Sequence, residues 1–229
     1  MLLAFSSCNF FDGKRIKGDG NVITETRSVG NFDGIEVSGA FDIYITQDNS
    51  YTVKVETDDN LQGYVITEVQ GNELRIRPEN HVNLRPTRMK IYVSAPVFKS
   101  LEASGACNIY SQNKLSSSEK MDIELSGSSD VVLDINAPEV EASLSGAGSV
   151  ELKGETKELN IDGSGSSDIR CFDMKADNVS IDISGAGSAE VFANTKLDVE
   201  VSGSGDIKYK GSPSVQQRIS GAGSVKKVD

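Results

Sequence analysis

The chain has 229 residues, enough for one large domain or two small ones with a substantial buried core. Its 34 acidic residues outnumber 23 basic ones, and the resulting net charge of −11 argues against nucleic acid or an anionic membrane surface as a partner. Eleven of the fourteen aromatic residues lie at or before Tyr110, so the two halves of the chain are built differently.

The first eight residues are typical of the end of a bacterial lipoprotein signal peptide. An apolar run at 2–5 is followed by two serines and then by Cys8, as in a lipobox. We expect Cys8 to be acylated and residues 9–20 to be a linker. A short apolar start with an incidental cysteine is the alternative, because a basic segment and a full apolar segment are missing. No later stretch approaches the roughly 18 apolar residues that a membrane-spanning helix needs.

Residues 21–100 alternate apolar and polar side chains over short segments, the period-two pattern of β-strands. Residues 78–88, with two prolines and the single histidine, His81, read as an irregular exposed loop. We expect 21–100 to form broader, less regular coils that cap one end of the repeat described next. The predicted strand segments are 35–37, 41–45, 51–55, 64–66, 74–76 and 91–93.

From Ser104 onward a Ser-Gly pair followed by a small residue returns every 18 to 22 residues. Short alternating segments flank each pair, so each unit reads as two strands around a tight glycine corner, and such units bury their apolar face only by stacking. We predict an all-β fold, a parallel β-helix (β-solenoid) that we expect to be right-handed, with 101–229 as its regular part and 21–229 as one continuous domain. The repeat serines, with an early copy at 38, are Ser38, Ser104, Ser126, Ser145, Ser164, Ser184, Ser202 and Ser220.

The residue four positions after each repeat serine alternates between Asp and Ser from Asp130 to Ser224. If successive units are successive coils, each Asp lies between two Ser residues, and the carboxylates are two coils apart, roughly 10 Å. The alternative is that each unit is only half a coil. We expect these aspartates to cap turns through side-chain hydrogen bonds, with a structural calcium ladder as the alternative.

The two later cysteines, Cys107 and Cys171, fall about three coils apart in this register. At about 4.8 Å per coil they are separated by roughly 14 Å, which is too far for a disulfide. We therefore expect two buried free thiols.

The segment 32–43, FDGIEVSGAFDI, together with Asp59-Asn60-Leu61 and the Ser-Gly run, resembles the bacterial family called "putative auto-transporter adhesin, head GIN domain". The resemblance covers roughly residues 30–210. It implies a β-helix related in shape to pectin-lyase-type folds, common in lipoproteins of Bacteroides-like bacteria. Adhesion has been proposed for the family, and the resemblance supplies no catalytic residues.

The residue pattern gives little support for catalysis. One His and three Cys without a close pair do not suggest a zinc site, and we expect no metal and no cofactor. The serines belong to the repeat and not to a Gly-x-Ser-x-Gly elbow. A carbohydrate-active enzyme, a polysaccharide lyase or hydrolase, stays open as the alternative function, because acidic residues such as Asp58, Asp59 and Glu68 are plentiful.

We predict an adhesin-like binding or scaffolding module whose partner is an extracellular polymer or an envelope protein. The candidate ligand face is Tyr44, Tyr51, Tyr64 and Tyr92, since sugar sites recruit exposed aromatic rings. We place the protein in the cell envelope, anchored to the outer membrane through Cys8 and facing the periplasm or the cell surface. A purely architectural role is a third reading. The last coil has little to cover its edge, so self-association into a homo-oligomer there is a further hypothesis.

Overall fold

The computed structural model describes residues 13–229, most of which lie in strands. The N-terminal part also contains a 3-10 helix at Asp59–Tyr64. Its strands overlap every segment predicted from the alternation. They are β1 (Lys14–Lys17), β2 (Val22–Arg27), β3 (Gly34–Gly39), β4 (Asp42–Gln47), β5 (Thr52–Asp58), β6 (Val65–Gln70), β7 (Glu73–Pro78), β8 (Val82–Arg85) and β9 (Met89–Ala95).

The repeat part continues the same sheet system with strands whose ends are set by the Ser-Gly pairs. Most first strands of a unit end at the glycine of the pair. The strands are β10 (Ser100–Gly105), β11 (Asn108–Ser111), β12 (Leu115–Ser116), β13 (Met121–Gly127), β14 (Asp130–Asn136), β15 (Glu139–Gly146), β16 (Ser149–Gly165), β17 (Asp168–Gly185), β18 (Ser188–Gly203), β19 (Asp206–Gly211), β20 (Ser214–Gly221) and β21 (Ser224–Lys227).

Each coil consists of a strand that leads into a Ser-Gly corner and a strand that follows it. We call the two resulting stacks the first face and the second face. The first face runs through β7, β3, β10, β13, β15, the C-terminal ends of β16, β17 and β18, and β20. The second face runs through β9, β4, β11, β14, the N-terminal parts of β16, β17 and β18, and then β19 and β21.

Successive units are successive coils in parallel register. Ser126 pairs with Ser145, and Ser145 pairs with Ser164. The expectation of a parallel β-solenoid is therefore confirmed, and the half-coil alternative is wrong.

The corner requires glycine for two physical reasons. Gly146 has a φ of 120°, a backbone conformation that residues with a Cβ rarely adopt. A Cβ on Gly146 would also lie 2.4 Å from the carbonyl oxygen of Gly127 on the coil before. The same carbonyl accepts a hydrogen bond of 2.8 Å from the N–H of Ala147, so close backbone approach and coil-to-coil bonding occur at one place.

The core is a continuous apolar column inside the coils. Alternate strand residues point inward, as Val140, Ala142 and Leu144 do on β15, where they are 0%, 0% and 3% exposed. Equivalent side chains on every coil pack against one another in a single cluster. Burial of so many apolar side chains is the main stabilising contribution to the fold, because the stabilising free energy grows with the apolar area that is removed from water.

The N-terminal strands close one end of this column, which confirms the predicted cap. Strand β7 lies beside β3, and β9 lies beside β4, both in parallel. Outside them, β6 pairs with β7, and β5 pairs with β9 and β2, all antiparallel. The chain therefore leaves the first coil after β4, builds the cap, and returns on the other side as β10, where Ser104 pairs with Ser38.

The sequence predicts an irregular loop at 78–88, but part of this segment is a strand. Residues 82–85 form β8, which pairs in parallel with β1 in a separate two-stranded sheet. The pairing needs a partner 68 residues earlier in the chain, from Lys14 to Val82, so local patterning did not reveal it.

The cysteines follow the expected pattern where the structure describes them. Cys107 and Cys171 are buried free thiols, as expected. Cys8 lies outside the described residues, so its predicted acylation stays a prediction.

Candidate functional site

A shallow groove runs along the first face, parallel to the solenoid axis. Its volume is about 630 Å³. One wall is a row of outward side chains two positions before the repeat serines, and the other wall is the row of repeat serines themselves. We call this feature the serine–carboxylate groove; its two rows are Glu36, Glu102, Glu124, Ser143, Asp162 and Asp182, and Ser104, Ser126, Ser145, Ser164 and Ser184.

The carboxylates of the groove stand on neighbouring coils and affect one another. Burial raises the pKa of Glu102, and the carboxylates of Glu73, Glu124 and Glu36 raise it further. Asp162 behaves similarly: burial, Asp182 and Glu141 raise its pKa. The groove is therefore a strip of negative potential that favours a cationic or neutral, hydrogen-bonding ligand over an anionic one.

Backbone carbonyl groups of the preceding coil orient hydroxyl groups of the serine row. Ser164 Oγ donates to the carbonyl oxygen of Leu144 at 3.3 Å, and Ser104 Oγ contacts that of Val37 at 3.5 Å. Their lone pairs stay available as acceptors, next to carboxylates that are also acceptors. The groove can thus accept hydrogen bonds from a ligand rich in hydroxyl or amino groups.

Tyrosines form a second feature, on the second face at the capped end. Tyr44 stacks on Tyr92 on one side and on Tyr110 on the other, each with ring centroids 5.4 Å apart. Tyr92 donates its hydroxyl to Glu56 Oε2 at 3.0 Å, and Lys90 Nζ lies 5.0 Å from the Tyr44 ring centroid. Both faces of Tyr44 are covered, so this ladder offers a ligand ring edges and hydroxyl groups rather than open faces.

The four tyrosines proposed as a ligand face are only partly brought together. Tyr44 and Tyr92 are neighbours, whereas Tyr51 packs edge-on against Phe32 at 5.4 Å and Tyr64 lies beneath Lys14. Their role in binding stays a prediction.

Sequence reasoning missed Tyr110 and the groove, although both left a signal. Tyr44 and Tyr110 each come six residues after a repeat serine, and Glu36, Glu102 and Glu124 each come two residues before one. Tracing every repeat position outward, instead of only the corner, would have found both rows.

Residues weighed for catalysis have structural or exposed positions. Asp58 is 0% exposed and accepts hydrogen bonds from the N–H groups of Gly20 (2.8 Å) and Thr87 (2.7 Å). Glu68 pairs with Arg77 at 3.2 Å. His81 is exposed, with a φ of 62°. Between residues 13 and 229, no group of three metal-ligating side chains converges. Within the same range, no helix has the length and apolar character needed to cross a membrane.

Comparison with solved structures finds close likenesses over nearly the whole chain. A "putative adhesin" from Bacteroides fragilis has a TM-score of 0.89 at 25% identity, covering 93% of this chain and 100% of its own. A "putative adhesin" from Parabacteroides distasonis is 31% identical, with a TM-score of 0.77 over 94% of this chain and 100% of its own. A "putative lipid binding protein" from the same species is 30% identical, with a TM-score of 0.75 over the same shares of the two chains.

No curated protein matches the chain. A family model does match it, over residues 31–213, which is most of the solenoid. The Ser-Gly coils, the cap and the agreement with solved relatives are consistent with that match. The chain belongs to the family described as "Putative auto-transporter adhesin, head GIN domain".

Proposed function

We propose that this protein is a non-catalytic, adhesin-like module of the cell envelope that binds an extended polymer along the serine–carboxylate groove. The observation that carries the proposal is the shape and lining of the groove. It follows the solenoid axis across several coils and repeats the same pair of side-chain positions at about 4.8 Å per coil. A ligand with its own short repeat can meet these positions in succession.

The chemistry of the groove narrows the class of polymer. Acceptors dominate both rows, and the whole chain carries a charge of −11. A neutral or amino-bearing glycan supplies the matching donors, whereas an anionic polysaccharide would be repelled. The adhesin descriptions of the relatives agree with a binding role.

Export and anchoring are part of the proposal and rest on the sequence. Cys8 follows the apolar run at 2–5 and two serines, as in a lipobox. We expect Cys8→Ser to release the protein from the outer membrane into the soluble fraction. Fractionation of cells that express either form measures this, and a variant that stays membrane-bound would contradict the anchor.

A carbohydrate-active enzyme is the rival function, and the raised pKa of Glu102 is the observation that favours it. Binding and cleavage assays on one polymer panel separate the two: a neutral glucan, chitosan as a cationic glycan, and alginate as an anionic one. We expect binding to the glucan or to chitosan, none to alginate, and no new reducing ends. Turnover that disappears in Glu102→Gln would establish the enzyme instead.

A further inference from the structure

A second groove lies at the capped end, beyond the end of the serine–carboxylate groove at Glu36. It has a volume of about 980 Å³, at the upper end of the range of small-molecule sites. The first Ser-Gly corner forms one side and the segment 77–86 forms the other. We call it the cap groove. Its apolar lining is Ala40, Phe41, Pro78, Val82, Leu84, Pro86 and Met89.

Strand β8 forms one wall of the cap groove, and the sheet that it makes with β1 has two sides of different character. Ile16 pairs with Leu84, and both are half-buried. Lys17 pairs with Arg85, and both are exposed. Because side chains alternate along a strand, the sheet presents an apolar side towards the protein and a basic side, with Arg15 added, towards solvent.

The basic side carries uncompensated positive charge. Within residues 13–229, Arg15, Lys17 and Arg85 form no ion pair, and Lys17 and Arg85 are like charges on directly paired positions. Such a pair is destabilising on its own. Across 13–20 and 77–88 there are six Lys or Arg residues and two acidic ones, the reverse of the chain as a whole.

The wall is also held in place before any ligand arrives. The buried carboxylate of Asp58 accepts hydrogen bonds from Gly20, just after β1, and from Thr87, just after β8. These two bonds hold the two-stranded sheet against the cap at the end where both parallel strands finish. A preformed wall lowers the ordering cost of binding.

We propose that the cap groove binds an anionic amphiphile, with its acyl chain against Phe41, Leu84 and Met89 and its head group at Arg85, which lines the groove. An acyl chain matches the apolar lining, because burial of its methylene groups there removes apolar surface from water. A carboxylate or phosphate head group relieves the repulsion between Arg85 and Lys17. The inference is independent of polymer binding in the other groove.

Titration calorimetry of the full chain carrying Cys8→Ser tests the proposal, with dodecanoate as the probe. We expect one dodecanoate per protein and no binding of inorganic phosphate. Ala40→Trp should abolish binding by filling the groove. Ala147→Trp is the matched control, since Ala147 is an equally exposed residue after a Ser-Gly corner but lies outside the cap groove, and it should bind normally. Arg85→Ser should weaken binding about fivefold, as expected for one exposed charge contact.

Three results would overturn the proposal. Equal binding by wild type and Ala40→Trp would show that the ligand lies elsewhere. Binding to vesicles of phosphatidylcholine and phosphatidylglycerol without binding of monomeric dodecanoate would show a membrane-docking surface and not a groove. Binding only after replacement of Phe10 and Phe11 by Ser would show that the chain's own N-terminal segment is the occupant.

Discussion

Ser188 Oγ donates a hydrogen bond of 2.6 Å to Asp168 Oδ1 across one coil step of the second face. The same bond joins Ser149 to Asp130 and Ser224 to Asp206, both at 2.5 Å. The alternation of Asp and Ser in the repeat thus gives every one of these carboxylates a donor on the next coil. The bonds run between coils, whereas the sequence suggested capping within a turn.

Replacing Ser188 tests this alternation. Ser188→Asp stacks three carboxylates at one-coil spacing, with Asp168 and Asp206, and should destabilise the fold by about 1 kcal/mol or more. Ser188→Ala removes only the hydrogen bond and should cost about 0.5–1.5 kcal/mol. Urea denaturation at low and high salt separates them, because only the aspartate variant should recover in salt. Equal salt responses would contradict the charge argument.

Replacing a glycine at a corner should destabilise the protein far more than replacing a glycine in a loop. Gly185 has a φ of 128°, and a Cβ there would lie 2.4 Å from the carbonyl oxygen of Gly165. Gly185→Ala should cost at least about 2–3 kcal/mol. Gly30→Ala, where a Cβ meets nothing within 4 Å, is the control and should leave the melting temperature unchanged. Similar melting temperatures for both variants would contradict the corner geometry.

Asp58 should make the stability of the cap depend on pH. Burial raises the pKa of this carboxyl, but hydrogen bonds from Thr87 and Gly20 outweigh burial and leave the pKa below its usual value. A lowered folded-state pKa stabilises the protein above the unfolded value near 3.9, and this contribution is lost as pH falls through the folded value.

Asp58→Asn should therefore cost about 1.5–3 kcal/mol between pH 5 and 8, with the difference from wild type shrinking below about pH 4. Urea denaturation across pH measures it. A difference that stays constant down to pH 2 would show that Asp58 does not act as a carboxylate.

The two buried thiols should be inert in the folded protein. Burial raises the pKa of Cys107 to about 11 and that of Cys171 to about 12, so both are neutral at pH 8. Iodoacetamide should label neither thiol without denaturant and both in 6 M guanidinium, as read by mass spectrometry. Rapid labelling of either in the native protein would contradict its burial.

The repeat half could be predicted closely because each of its contacts is between equivalent positions. Once Ser126 pairs with Ser145, the partner of every residue nearby follows. The N-terminal half breaks this rule, since β7 and β9 come later in the chain than β3 and β4 but lie on their outer side. Alternation identifies such strands but carries no information on the order in which they pair.

The candidate site was less predictable for a related reason. Grooves depend on outward side chains, which the apolar pattern does not constrain. Glu102 and Asp162 lie at such outward positions, and their proximity to other carboxylates appears only when the coils are stacked. The cap groove depends on the pairing of β1 with β8, which no local motif indicates.

Binding of the preferred polymer by two matched variants tests the proposed function most directly. Ser143→Trp fills the serine–carboxylate groove between Glu124 and Asp162, whereas Val132→Trp adds a ring at an equally half-buried outward position beside Tyr110 on the second face. The account predicts a dissociation constant raised at least about tenfold by Ser143→Trp, equal to 1.4 kcal/mol, and unchanged by Val132→Trp. Undiminished binding by Ser143→Trp, or a loss confined to Val132→Trp, would contradict it.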